Sequence, residues 1–314
     1  MDVYSFKDEL ELSAWVSVAV GNSIIFVLSI LQKVSAAANK IENRLVYFVV
    51  SRSYLYLLGF GCVNQWRGIW YLLDIYTGIT WQGATGTLLS GACALCCFRC
   101  FRSSLASPLV LQLDNDRASM FTLTGRLSSK IAPNPMFALD ICLTVFIINN
   151  FVVFYWRGMW TLFDLFLVPE NTLRSAAYCF TISFTLAIPV LIGQHAVQLV
   201  SQKLHENMCL LQIVFEDFFM ALAGIVCICH WRGTWLSLDA IFFPNNEELS
   251  VWGSHVIGYV GLILLCSFKS SLSCGCAIDK TIHEVEHSIF DLKFFSKFRI
   301  QQAATHSFTP ATEM

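Results

Sequence analysis

Apolar residues run along this chain in seven long stretches, separated by short polar segments. The stretches cover residues 12–31, 45–65, 79–98, 136–156, 175–200, 208–230 and 251–268. Each is close to the roughly 20 apolar residues that a helix needs to cross a bilayer. The pattern therefore predicts an all-α, polytopic membrane bundle of about seven spans. An eighth span would require re-entry of a motif loop or of residues 105–113.

A nine-residue pattern, W-R-G-x-W-x-x-x-D, occurs three times, beginning at Trp66, Trp156 and Trp231. Five fixed positions in three copies indicate an internal repeat. We therefore predict one leading helix followed by three repeated helical hairpins, with one motif in the connection of each hairpin. The predicted segments are an N-terminal segment with the first helix (1–31), hairpin 1 (45–98), a cytoplasmic loop (99–135), hairpin 2 (136–200), hairpin 3 (208–268) and a cytoplasmic tail (269–314).

Composition supports the membrane class and excludes nucleic acid as a partner. The chain is 56% hydrophobic and 13% charged, whereas soluble domains are about 25% charged. The mean hydropathy is +0.60. The formal net charge of −2 provides no basic surface for phosphate backbones. The bilayer is thus the expected environment.

The distribution of positive charge predicts the orientation. Of twenty Lys and Arg residues, fourteen fall on one side of the predicted spans, and Arg52 lies inside one. The other five are Lys7, Arg67, Arg157, Arg174 and Arg232. Because Lys and Arg concentrate in cytoplasmic loops, the N-terminus is predicted outside, the C-terminus in the cytoplasm and all three motifs on the outer face.

The repeated charges are the strongest candidates for function. An unpaired charge beside lipid costs about 2.5–3.5 kcal/mol or more, so each should have a partner. The Arg and Asp residues either pair within a repeat or reach the neighbouring repeat, and they act either as structural pairs or as the lining of an outer vestibule. They are Arg67, Asp74, Arg157, Asp164, Arg232 and Asp239.

The other motif positions suit a membrane boundary. The Trp rings match the headgroup region, and the Gly residues allow close helix approach. These positions are Trp66, Gly68, Trp70, Trp156, Gly158, Trp160, Trp231, Gly233 and Trp235. After the second and third motifs, Pro169 and Pro244 fall five residues after Asp, and Asn171 and Asn246 fall seven after it, whereas the first motif is followed by Gly78.

Polar residues within the predicted spans form a second candidate set, able to close an inner layer of pairs. They are Arg52, Asp140, Asn149, Asn150, Glu216 and Asp217. Cysteines near the inner membrane surface are candidate palmitoylation sites, with packing as the alternative. They are Cys97, Cys100, Cys274 and Cys276.

No catalytic or metal site is predicted, and no cofactor. Nothing beside the motifs supplies a nucleophile or a metal-ligand set in triplicate. The tail segment His283 to His287 matches H-E-x-x-H, but this pattern fixes only three positions and has no domain around it to shield a zinc ion. The sequence therefore predicts that the protein is not an enzyme.

With its repeated W-R-G-x-W elements between hydrophobic pairs, the chain resembles the Fuseless family of multi-pass membrane proteins over roughly residues 12–270. The resemblance implies a neuronal plasma-membrane protein that acts at presynaptic terminals in synaptic transmission, with synaptic partners such as calcium channels whose placement it supports. The family is described with eight spans. The alternative function is a solute transporter or channel-like carrier whose vestibule is lined by the repeated Arg and Asp residues.

Overall fold

The structure is a computed structural model, and it describes residues 3–114, 117, 120–121, 123, 135–271 and 289–290. Several predictions concern residues outside these ranges: most of the cytoplasmic tail, Cys274, Cys276 and the H-E-x-x-H segment.

The described residues form an all-α structure without a strand. The helices are α1 (Val3–Ile30), α2 (Gln32–Ala36), α3 (Arg44–Thr77), α4 (Trp81–Cys97), α5 (Pro135–Leu143), α6 (Asn149–Phe166), α7 (Thr172–Ile192), α8 (Gln194–Asn207), α9 (Cys209–Ile241) and α10 (Glu247–Leu264). A π turn over Thr144–Ile148 joins α5 to α6. Short 3-10 turns occupy Ala37–Lys40, Phe101–Ser104 and Phe268–Ser271.

Five of the described helical segments are long and apolar enough to cross a membrane. They are Glu9–Ile30, Arg44–Thr77, Pro135–Phe166, Thr172–Ile192 and Cys209–Ile241. The 17 residues of α4 stand at the lower limit of about 17 for a spanning helix, and α10 is not among the five. The count of seven or eight spans stays a prediction.

All three W-R-G motifs lie inside long helices, so the prediction that they occupy the hairpin connections is wrong. The first motif is the last part of α3, a helix of 34 residues. At 1.5 Å per residue this helix is about 50 Å long, well beyond the roughly 30 Å hydrocarbon core. The first motif therefore continues without a break from a helix that is long enough to cross the core.

The helices end in the same way after each motif. The fourth residue after the motif Asp has a positive φ in all three copies: Gly78 (72°), Val168 (52°) and Phe243 (51°). The next helix then begins at a side-chain cap, from Thr80, Asn171 or Asn246. Such caps satisfy backbone N–H groups of the first helical turn, which accounts for the Asn that follows the second and third motifs.

The closest packing joins different helices from those of the predicted hairpins. α1 packs along α3, α4 along α6 and α7 along α9, whereas α3 and α4 touch only near their shared turn. Each packed unit is thus one motif helix together with a leading helix that precedes it in the chain. The repeat boundaries are shifted by one helix from those predicted, and α10 follows the third unit.

Residues 99–114, which we name the re-entrant segment, pack against the helices of the bundle, and their predicted cytoplasmic position stays a prediction. Cys100, Phe101, Leu109 and Asp114 are all at most 2% exposed. Irregular backbone at membrane depth is stable only when protein surrounds it. Here the indole N–H of Trp156 donates to the carbonyl of Ser104 at 2.8 Å, and the segment packs between the motif helices.

Candidate functional site

The motif arginine of the second repeat bonds to the motif aspartate of the first. Arg157 Nε and Nη2 donate to Asp74 Oδ1 at 3.0 and 2.9 Å. The remaining donors reach Thr77 Oγ1, Thr87 Oγ1 and the Gly78 carbonyl. The Arg157 side chain is 0% exposed. The guanidinium therefore joins the end of α3 to the start of α4.

The motif arginine of the third repeat bonds in the same way to the motif aspartate of the second repeat. Arg232 Nε and Nη2 donate to Asp164 Oδ1 at 3.0 and 2.9 Å, and Nη1 reaches Ser175 Oγ and Cys179 Sγ. Both ion pairs thus run from one repeat to the repeat before it. We name these two pairs the arginine ladder, and they place all three motifs at one end of the bundle.

The arginine ladder has two open ends. Arg67 of the first motif donates to Ser17 Oγ at 2.6 Å and Ser13 Oγ at 3.1 Å, and its guanidinium lies 4.9 Å from the centre of the Tyr71 ring. Among the described residues no carboxylate contacts Arg67, and none of them contacts the carboxylate of Asp239. The six repeated charges therefore form two ion pairs and not three.

The motif glycines mark where each leading helix approaches its motif helix. A Cβ at Gly68 would lie 2.6 Å from the carbonyl oxygen of Ala14, and one at Gly158 would lie 2.4 Å from the backbone nitrogen of Leu88. At Gly233 the nearest atom, the carbonyl oxygen of Ala176, is 3.2 Å away. The first two contacts leave no space for a side chain, and the third is looser.

A second repeated pattern, which sequence reasoning missed, lies on the leading helices. Small residues spaced by four and four face each motif helix, and the middle one accepts a hydrogen bond from the motif arginine. The three sets are Ser13, Ser17 and Gly21 in α1; Gly83, Thr87 and Gly91 in α4; Ser175, Cys179 and Ser183 in α7. An Ala follows the first member of each set, at Ala14, Ala84 and Ala176. Aligning the helices on this pattern would have found the shifted repeat boundary.

The same spacing occurs a fourth time, in α10. Ser250, Ser254 and Gly258 follow the cap Asn246 as Ser175, Cys179 and Ser183 follow Asn171. No residue of α10 is buried, and a Cβ at Gly258 would meet nothing within 4 Å. The part of the chain that the structure describes thus holds three complete units and, in α10, a helix with the pattern of a fourth leading helix.

The six motif tryptophans lie in two layers, each of which contains one ring from each motif helix. In one layer the ring centres of Trp66 and Trp156 are 5.3 Å apart and those of Trp156 and Trp231 are 6.2 Å apart. In the other, Trp160 lies 5.7 Å from Trp70 and 6.4 Å from Trp235. All four contacts are edge-to-face, which is a favourable geometry for aromatic pairs.

These layers surround a cavity of about 460 Å³, which we name the tryptophan cavity. Its volume falls within the roughly 300–1,000 Å³ typical of small-molecule sites. The lining residues are Cys62, Val63, Trp66, Arg67, Trp70, Tyr71, Ser103, Ser104, Leu105, Ala106, Val152, Trp156, Trp160, Trp231, Trp235 and Ser270. Of the six repeated charges only Arg67 is among them, so this cavity is not a vestibule lined by all six.

The inner charges pair with the re-entrant segment and not in a layer of their own. Arg52 Nη1 donates to Asp114 Oδ2 at 2.6 Å. Arg99 donates to Asp217 Oδ1 at 2.9 Å and to Glu216 Oε2 at 3.2 Å. The segment therefore supplies one acidic residue, Asp114, and one basic residue, Arg99, to the bundle interior. The spacing of Arg52, Asp140 and Asp217 did not predict these partners.

The remaining intramembrane polar residues lie near the π turn. Asp140 and Asn149 are each 1% exposed. Gln65 Nε2 donates to Asn22 Oδ1 at 2.6 Å, to the Val145 carbonyl at 2.8 Å and to Asn150 Oδ1 at 3.3 Å. A π turn frees carbonyls from the regular helical hydrogen-bond pattern. In this turn the carbonyl of Val145 accepts a hydrogen bond from Gln65.

The two described candidates for palmitoylation differ in exposure. Cys97 is exposed, whereas Cys100 is 0% exposed and belongs to the main core. An acyl chain on Cys100 would require that core to open, so Cys100 is not a suitable site. Among the described residues, no group of three or more His, Cys, Asp or Glu side chains is placed to hold a metal ion.

Comparison with known proteins gives one match. A family model described as Fuseless matches residues 1–272 of the chain, a range that contains all three motifs and α1 to α10. This confirms the resemblance drawn from the sequence. No curated protein and no solved structure matches the chain.

Proposed function

The chain belongs to the Fuseless family, and from this membership we propose that it is a non-enzymatic plasma-membrane protein that organises presynaptic components in neurons. Its partners are membrane proteins of the synapse, with calcium channels as the first candidate. Its proposed role in transmission is to hold such channels in place.

The observation that carries this proposal is the arginine ladder. Arg157 and Arg232 use their donors on neighbouring helices, and their side chains are 0% and 3% exposed. Charges used in this way hold three helix units in one rigid body and are withdrawn from any solute. A rigid body with outward-facing apolar helices suits a protein that binds other membrane proteins.

The test is rescue in neurons that lack the protein. Wild type, Arg157→Gln and the matched control Arg174→Gln are expressed at equal surface level, and calcium-channel fluorescence is measured at each presynaptic site. Arg174 is exposed and lies outside the arginine ladder. We expect wild type and Arg174→Gln to restore channel placement and Arg157→Gln to restore less. Unchanged placement in the neurons without the protein would contradict the proposal.

A solute carrier is the second candidate, and the tryptophan cavity is the observation that favours it. Arg67 at the cavity wall would select anions. Uptake of radiolabelled chloride, phosphate and acetate into vesicles with purified protein separates the two candidates. Uptake above that of empty vesicles would support a carrier and contradict a purely organising role.

A further inference from the structure

The tryptophan cavity offers indole and guanidinium hydrogen-bond donors, and the only side-chain oxygens in its lining belong to hydroxyl groups. The indole N–H groups of Trp156 and Trp231 bond to carbonyls of the re-entrant segment, at 2.8 and 2.9 Å. The other four lining tryptophans, Trp66, Trp70, Trp160 and Trp235, have no hydrogen bond to any described residue. Indole and guanidinium groups only donate. A ligand that bonds to the indole and guanidinium donors of the cavity wall must therefore supply hydrogen-bond acceptors.

Arg67 adds an uncompensated positive charge to the same wall. It is exposed, and its hydrogen-bond partners are the neutral hydroxyls of Ser13 and Ser17. The equivalent residues Arg157 and Arg232 each hold a carboxylate. Among the described residues that line the cavity, none is acidic. A quaternary ammonium group, which often binds in aromatic cages, would here meet Arg67 without an opposing carboxylate.

The rest of the cavity is apolar and opens at the side of the bundle. Two lining residues, Val63 on α3 and Trp235 on α9, keep 65% and 57% of their surface exposed. Val63 continues an exposed apolar stripe on α3 that includes Phe60. Because α3 is long and apolar enough to cross a membrane, this stripe contacts lipid chains, and the cavity is accessible from the bilayer.

The residues of α3 that line the cavity are polar at one end of the cavity and apolar at the other. Arg67 and Tyr71 lie beyond Trp66, toward the end of α3 that carries the arginine ladder. Val63 and Cys62 lie one turn deeper, within the apolar run of residues 45–65. A bound molecule would thus place an anionic group near Arg67 and an apolar chain toward Val63.

We propose that the tryptophan cavity binds an anionic membrane lipid, with its phosphate or carboxylate at Arg67 and one acyl chain among the indole rings. The proposal goes beyond the organising role and does not depend on it. A bound lipid would fill the space between α3 and α9, whose motif tryptophans contact those of α6 that lie between them.

The test uses quenching of tryptophan fluorescence by lipids brominated on their acyl chains. The chain has nine tryptophans. The three outside the cavity, Trp15, Trp81 and Trp252, are at least 50% exposed, so their replacement by Phe leaves only cavity tryptophans. This variant is reconstituted in nanodiscs with increasing fractions of brominated phosphatidylserine or brominated phosphatidylcholine.

We expect half-maximal quenching at an about three- to tenfold lower mole fraction of phosphatidylserine than of phosphatidylcholine, the factor expected from one additional hydrogen bond of ordinary strength. Arg67→Gln should abolish this preference, Arg67→Lys should retain part of it and Arg174→Gln should leave it unchanged. Melting temperature and elution volume show whether each variant is folded.

Equal quenching by the two lipids in the folded parent protein would overturn the proposal, whatever the variants do. Preference for phosphatidylcholine would also overturn it and indicate a cage for the choline group. A third arm adds inorganic phosphate to the discs. Protection by phosphate without quenching from the brominated chains would place a free anion, and not a lipid, at Arg67.

Discussion

Arg232 of the third motif donates two hydrogen bonds to Asp164 of the second motif, and none to Asp239 of its own. The motif helix is continuous between Arg232 and Asp239, and seven residues of α-helix span about 10 Å along the axis. Helical ion pairs form at separations of three or four residues. An unbroken motif helix therefore favours pairing with the neighbouring repeat over pairing within the repeat.

One aspartate inside the arginine ladder, Asp74, and one outside it, Asp239, form a matched pair for comparison. Asp74→Asn leaves the guanidinium of Arg157, which is 0% exposed, without its carboxylate. Loss of one partner of a buried ion pair costs about 3–5 kcal/mol. Asp239→Asn removes no hydrogen bond or ion pair with a described residue and should leave the melting temperature of the detergent-solubilised protein nearly unchanged. Equal melting temperatures for the two variants would contradict this assignment.

The motif glycines should differ in their tolerance of alanine. The Cβ of Gly158→Ala would lie 2.4 Å from a backbone nitrogen of α4, so the two helices must separate, at a cost of about 1–3 kcal/mol or more. In Gly233→Ala the nearest atom is 3.2 Å away, and a small shift accommodates the methyl group. We expect a clear fall in the melting temperature for Gly158→Ala and a small change for Gly233→Ala.

Two substitutions in the turns after the motifs should change thermal stability in opposite directions. Val168 has a φ of 52° at the position where the first repeat has Gly78, with a φ of 72°. Left-handed backbone costs a β-branched residue on the order of 1–3 kcal/mol and costs glycine little. Val168→Gly should therefore raise thermal stability, and Gly78→Val should lower it. A fall in stability for Val168→Gly would show that its side-chain contacts outweigh the backbone strain.

Cys97, at the end of α4, and Cys100, three residues later, should differ in whether they carry palmitate. Cys97 is exposed and Cys100 is buried in the core beside Phe101. Mass spectrometry of protein from animal cells should find palmitate on Cys97, and Cys97→Ser should remove it. Palmitate on Cys100 would contradict the packing of the re-entrant segment.

Hydropathy and the repeat predicted the fold class, the family and the alignment of the three motifs on one face. They did not predict the shifted units, because Ser13, Thr87 and Cys179 are small residues within apolar runs and leave no mark on hydropathy. The burial of the re-entrant segment leaves no signal in the sequence, because its irregular backbone has no helical period. Only the tertiary structure places Ser104 beneath Trp156 and Asp114 beside Arg52.

The central claim is that the arginine ladder joins each repeat to the one before it, and a double-mutant cycle tests it most directly. The free energy of unfolding is measured for Arg232→Gln, Asp164→Asn and the double variant, and for the control cycle of Arg232→Gln with Asp239→Asn. We predict a coupling energy of about 0.5–3 kcal/mol between Arg232 and Asp164 and none between Arg232 and Asp239. Coupling to Asp239 without coupling to Asp164 would contradict the ladder.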